Sequence, residues 1–195
     1  MRALRIAAPV LCLVLWACST PPPPVPSGPP PDWKLASASM STGNVLQGTG
    51  GGGGGQISVI VNGHNLNGPV LSLYGSANGI RGTGNSGRTI DISFKGNKGE
   101  GLVGNILFSC LVDVQPDGSA HSTGAMGAGN TDYILSPKAI NGRIGVVTYN
   151  LNWNGEKYEG QMMPGGYGFL ELPPVMATWG DVEAACMLSL ILMGA

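Results

Sequence analysis

Several groups of residues in this 195-residue chain have the types that catalysis or ligation requires, and their spacing decides what each can do. Asp113, Asp117 and His121 recur at an interval that would stack carboxylate and imidazole ligands on one helix face. They flank Gln115-Pro116-Asp117-Gly118, however, a turn signal that gives Asp117 a turn role and removes the helical meaning of the interval. No fourth ligand of known type stands with them, so no metal and no cofactor is assigned. Glu100 and Glu159 hold the same place in two copies of a repeat, which reflects sheet pairing rather than an acid/base pair.

Nucleophiles and phosphate loops fare no better. Gly84-Asn85-Ser86-Gly87 is similar to the segment around a protease nucleophile, but the only candidate bases are His64 and His121, and neither sits in a supporting pattern. Ser86 reads as a turn residue, and His64 falls at a hairpin tip, the place of a solvated imidazole. Gly82 to Gly87 and Gly99 to Gly104 both match GxGxxG. A nucleotide loop needs a strand before it and a helix after it, whereas both of these lie between strands. No catalytic residue is assigned, and a hydrolase is kept only as an alternative.

The apolar set Trp153, Tyr158, Met162, Met163, Tyr167, Phe169, Met176 and Trp179 is more informative. Most of it should be core. Methionine adapts to irregular shapes, so Trp153, Tyr158, Met162, Met163 and Tyr167 are the candidate binding surface, lining a cavity or a partner groove.

The elements that position these residues come from a repeat. VNGHNLNG at 61–68, FKGNKGEG at 94–101 and WNGEKYEG at 153–160 share a large apolar residue, Gly in third place and Gly in eighth. Before each copy, apolar residues alternate: Ile57, Val59 and Val61; Ile90, Ile92 and Phe94; Tyr149, Leu151 and Trp153. Each copy therefore reads as a β-hairpin with a type II′ turn at Gly63-His64, Gly96-Asn97 and Gly155-Glu156. That register sets Val61 opposite Leu66, Phe94 opposite Gly99 and Trp153 opposite Tyr158 on the buried face. Asn85-Ser86-Gly87 and Gln115 to Gly118 turn further strands, and Gly124 to Thr131 is too rich in glycine for a strand and reads as a loop. Later strands run from 144 to 153, 158 to 163 and 168 to 172.

The tail changes period. Val182, Ala185, Cys186, Ser189, Leu190 and Met193 keep helical spacing from Asp181, which can cap. Leu188, Ile191 and Leu192 make this helix apolar nearly all round, so it should be buried, plugging one end of the sheet; a strand through 187–192 is the alternative. The fold class is all-β, an antiparallel meander of sandwich or barrel type built on three repeated hairpins, with a short apolar C-terminal helix. Cys110 and Cys186 are the two cysteines of this domain, and in an oxidising compartment a disulfide between them would fasten the helix to a central strand.

Ahead of the domain the composition shifts twice. Arg2 and Arg5 precede an apolar run from Ile6 to Trp16, too short to span a membrane as a mature helix, and reading as an export signal over 1–17. Leu15-Trp16-Ala17-Cys18 resembles the lipobox of bacterial lipoproteins, although Trp16 stands where that pattern has a small residue. The resemblance implies cleavage before Cys18, lipidation of Cys18 and anchorage to a membrane; Ser19 in place of Asp implies the outer membrane. Pro21 to Pro26 and Pro29 to Pro31 make a stiff polyproline spacer, and Gly50 to Gly55 a flexible joint, so 18–55 reads as linker and 56–195 as the domain.

Charge excludes one class of partner. Eleven acidic residues against ten basic ones give no field for nucleic acid. The expected protein is a non-catalytic, membrane-anchored envelope lipoprotein with a binding or structural role and protein partners in the envelope; a lipophilic-ligand carrier with an empty barrel is the alternative.

Overall fold

The computed structural model describes residues 45–50 and 55–195; the expectations for the export signal, Cys18 and the proline spacer lie outside the described residues. Fourteen strands form a closed antiparallel barrel. They are β1 Val45–Gly50, β2 Gly55–Asn62, β3 Asn65–Asn67, β4 Ser72–Ser76, β5 Gly79–Thr83, β6 Thr89–Lys95 and β7 Lys98–Val103, then β8 Ile106–Val114, β9 Ala120–Met126, β10 Gly129–Leu135, β11 Ala139–Ile144, β12 Val147–Trp153, β13 Tyr158–Met163 and β14 Gly166–Glu171. Each strand pairs with its neighbours in sequence, and β1 closes the wall against β14 through Gln47 opposite Glu171 and Gly48 opposite Leu170.

The three repeats form the hairpins that their sequence dictates. Val61 faces Leu66, Phe94 faces Gly99 and Trp153 faces Tyr158. Gly63 and Gly96 have φ of +58° and +61° while the residues after them do not, the combination a type II′ turn requires. Alternation sorts the wall: Val59, Ile90, Ile92, Tyr149 and Leu151 point inward and are buried, whereas Asp91, Ser93, Asn150 and Asn152 face outward. The apolar interior differs from that of a porin, whose lumen is the polar side. No helix among the described residues is long and apolar enough to cross a membrane.

Two sequence expectations are corrected here. The segment 124–131 is not a loop but the ends of β9 and β10, which pair in register around a tight turn. Its glycines are there for room: a Cβ on Gly124 would drive into the Ser109 carbonyl on β8. The wall also begins earlier than Gln56, because β1 pairs with β2 from Val45 opposite Ile60 to Gly50 opposite Gly55. The glycine run thus joins two paired strands rather than a spacer to a domain.

An even number of up-and-down strands returns the chain to the rim it started from. We call this the upper rim; it carries the β2–β3, β6–β7 and β12–β13 turns of all three repeats. From Glu171 the chain crosses this rim through a 3-10 turn at Pro174–Thr178 and then enters the lumen as helix α1, Asp181–Met193. Every residue from Glu183 to Leu192 is buried, so the helix fills the barrel along its length rather than stoppering one end. At about 1.5 Å per residue it spans about 20 Å. It starts at Gly180 with no side-chain cap, correcting the role given to Asp181, and Asp181 and Glu183 in the first turn complement the helix dipole. It ends in a Schellman motif at Gly194, φ +72°, with the Ala195 amide donating to the Leu190 carbonyl.

Glycines and a few polar groups seat the helix against the wall. A Cβ on Gly99 would stand 2.7 Å from Cys186 Sγ, so this glycine is the pocket for that thiol. Cys110, paired across the ladder with Gly99, is the neighbouring thiol; the two are buried and unbonded, and the expected disulfide is absent. Burial pushes the Cys186 thiol well above its ordinary range. The Tyr133 hydroxyl bonds the Ala185 carbonyl at 2.9 Å and Ser189 Oγ at 2.8 Å. Tyr149, also buried, has a hydroxyl with no hydrogen-bond partner among the described residues.

Candidate functional site

Side chains capable of chemistry converge on the upper rim, where helix α1 enters. The β2–β3 turn presents His64, whose Nδ1 lies 2.7 Å from Oε1 of Glu183. Glu183 is 3% exposed and His64 42%, so a buried carboxylate on the plug is held by a half-open imidazole on the wall. His64 also stacks on Trp179, with centroids 6.2 Å apart and planes at 22°. The Trp179 indole N–H donates to the Gly63 carbonyl at 2.9 Å, fixing the same turn from the other side. Gly75 on β4 makes space for the carboxylate: a Cβ there would overlap Glu183 and stand 2.8 Å from the Met187 methyl. The solvated tip expected for His64 is therefore corrected.

Beside this pair lies a cavity of about 460 Å³ lined by residues including His64, Ser76, Phe94, Asn97, Asp181 and Glu183. His64 and Asn97 are the second loop residues of repeat copies one and two, the place where the copies differ while the glycine before them stays. When Glu183 is ionised, His64 Nδ1 carries a proton and donates it to Oε1. The lining is rich in acceptors and holds no Lys or Arg. Ser76 is committed to its own turn, donating to the Gly79 carbonyl at 3.2 Å and accepting from the Asn78 amide at 3.3 Å. The arrangement can bind a ligand that donates hydrogen bonds.

The other candidates from the sequence are placed elsewhere. Asp113 and His121 face each other across the β8–β9 ladder, but His121 Nε2 pairs with Asp132 at 2.8 Å. Asp117 accepts from the Ser119 hydroxyl and amide, which hold its carboxyl below the usual range. Among the described residues no three of His, Cys, Asp and Glu gather as a metal group would. Ser86 sits at the turn with φ +60°. Glu100 pairs with Lys98 at 2.5 Å, and Glu159 is held low by the Asn154 side chain and then by Lys157.

The proposed binding surface divides between the two faces of the wall. Tyr158 and Met162 are buried core residues, whereas Met163 and Tyr167 are 67% and 65% exposed; Trp153 is half-buried with its ring 5.0 Å from that of Tyr158. Strand alternation makes this division, so the five residues do not form one surface. Sequence reasoning missed Glu183 and Trp179 as partners of His64 because more than a hundred residues separate them. The one signal available was the lone carboxylate in the otherwise apolar stretch 182–193.

Fold and site together define a closed antiparallel barrel built around its own apolar helix, with one polar mouth. Comparison with known protein families, with curated proteins and with solved structures finds no match for this chain.

Proposed function

We propose that the protein is a non-catalytic lipoprotein of a bacterial cell envelope, anchored through Cys18, with a binding or structural role exercised by the outside and rims of its barrel. The observation that supports this reading is the occupied lumen. Helix α1 is buried from Glu183 to Leu192 among inward residues of the wall, so it occupies the lumen itself, and the apolar space beside it, about 560 Å³ lined by residues including Ile57, Val59, Leu71 and Ile191, lies at the opposite rim. This favours external binding over a carrier. The upper-rim cavity beside His64 suits a small donor-rich ligand or a polar segment of an envelope protein.

Three measurements test the reading. Radiolabelled palmitate is expected to enter the full chain and not Cys18→Ala; equal labelling of both removes the anchor. Crosslinking in intact envelopes is expected to trap a partner through the rims, and native mass spectra that carry a stoichiometric lipid would restore the carrier.

A further inference from the structure

The lower rim, opposite His64, holds a cavity whose origin is the shortest strand of the wall. Strand β3 has 3 residues and pairs with β2 only at Ile60, Val61 and Asn62. Below them Gly55 to Val59 have no β3 partner, and the chain crosses to β4 through a turn closed by the Gly68 amide, which donates to the Leu71 carbonyl at 2.8 Å. The turn meets the edge of β2 closely: a Cβ on Gly68 would stand 3.3 Å from the Ser58 carbonyl oxygen and 3.4 Å from a Val59 methyl. Between this turn, the foot of β2 and the end of helix α1 lies the space of about 560 Å³.

Its walls are aliphatic. Val59, Leu71 and Ile191 are core residues that nonetheless border this space, and Ile57 is half-buried beside them. No side chain of the lining is charged, so an ion entering would lose its hydration without meeting a counter-charge. One polar group is fixed at the edge. The Asn85 amide donates to the Ala195 carbonyl at 2.7 Å, tying this residue to the helix end, and its Oδ1 accepts from the Ser86 hydroxyl at 3.3 Å. The donors on Asn85 Nδ2 have no partner among the described residues. The His64 cavity is the contrary case, bordered by Asp181, Glu183 and an imidazole.

We infer that the lower-rim cavity binds one uncharged single-chain amphiphile, with its alkyl chain against Val59, Leu71 and Ile191 and a hydroxyl or carbonyl end accepting from Asn85. The volume falls within the roughly 300–1,000 Å³ of small-ligand pockets, and an apolar wall with one placed donor is their usual construction. Burial of the chain supplies affinity, and the donor supplies orientation. A peptide adding as a strand needs an open ladder over several residues, whereas the Gly68 turn covers β2 at Ser58. The inference rests on the proposed function only in placing binding at a rim; it needs neither an acylated Cys18 nor an empty lumen.

The test is calorimetric titration of the full chain with straight-chain primary alcohols from butanol to decanol. Saturable binding of one alcohol per chain is expected, tightening about fourfold for each added methylene until the chain outgrows the cavity, and then levelling. Asn85→Ala should weaken every alcohol about fivefold and leave the dependence on chain length intact. Ile57→Trp, shown to be folded by its thermal unfolding, should move the levelling to shorter alcohols. In the unaltered chain, an octanol carrying a diazirine should label peptides within 55–71 and 185–195. Heats that do not saturate, tightening that never levels, or label placed elsewhere on the chain overturns the site. Displacement of the label by the blocked peptide acetyl-Val-Thr-Val-Thr-Val-amide overturns it in favour of strand addition. A native mass spectrum of the chain as purified reports the carrier separately, so either claim can fail alone.

Discussion

The two rims of this barrel are made from the same wall and differ in what the turns are asked to hold. At the upper rim the turns grip a buried polar object: Glu183 is caught by His64, and Trp179 reaches the Gly63 carbonyl. At the lower rim the helix leaves through a backbone cap, with the Asn85 amide donating to the Ala195 carbonyl at 2.7 Å, and the side chains of the turns are released to face outward. The difference teaches that a helix threaded through a barrel can be fixed by side chains where it enters and by backbone where it leaves. The other rim is then free to take up surface chemistry.

The contrast can be broken most severely at the upper rim. Trp179→Ala removes a ring that is 2% exposed together with its hydrogen bond to the β2–β3 turn, and should cost about 3–5 kcal/mol in denaturant unfolding. Glu183→Ala leaves a vacancy beside Gly75 and removes the imidazole's partner; a loss of about 1–3 kcal/mol is expected, with His64→Ala costing less in the Glu183→Ala background than alone, the remainder being its stacking on Trp179. Additive losses would mean that the two residues act separately.

Between the rims, two buried tyrosines flank Gly142 on either side of β11 and provide a finer comparison. Tyr133→Phe breaks the bonds to Ala185 and Ser189 and should destabilise by about 1–2 kcal/mol. Tyr149→Phe deletes an unpartnered hydroxyl and should be neutral or stabilising by up to about 1 kcal/mol. Burial pushes the Tyr149 hydroxyl up to about 12 from an ordinary 10. Its raised pKa contributes stability that is complete below pH 10 and is lost as pH rises through 12, because the unfolded chain gives up that proton first. Alkaline unfolding of Tyr149→Phe should lack this part of the loss. The smallest effect belongs to the lower rim, where Val146→Asp, at a side chain 62% exposed, should leave the unfolding free energy within about 0.5 kcal/mol of the parent in denaturant titration.

The hairpins were legible in the sequence because each is local: a glycine in the first loop position, alternation on both sides and one register that keeps the faces unmixed. Helix α1 was legible for the same reason, and its bounds match the helical spacing from Asp181. Strand β1 was not, since Val45 to Gly50 is short, holds two glycines and acquires partners only when the sheet closes. The stretch 124–131 was misread because glycine was counted as a breaker, while in a tightly curved wall it makes room for the adjacent backbone. The types of Cys110 and Cys186 pointed to adjacency, which the fold provides, but not to a bond, which depends on geometry that spacing does not carry. The His64–Glu183 pair depends on where the last helix enters a barrel that begins more than a hundred residues earlier, a relation no window of sequence contains.

One consequence of the threaded helix concerns the order of assembly. The inward face of the wall is apolar over its whole circumference, and α1 touches strands as far apart in the chain as β1, β4, β8 and β11. A wall that closed first would shut out its own core, and one that waited would expose a long apolar sheet. The contacts that close the barrel, β1 with β14 and α1 with the wall, therefore form late and together, around a segment supplied by the chain's far end, and their long sequence separation slows folding. In a chain being exported in extended form, that delay would keep the strands apart until all of them had crossed.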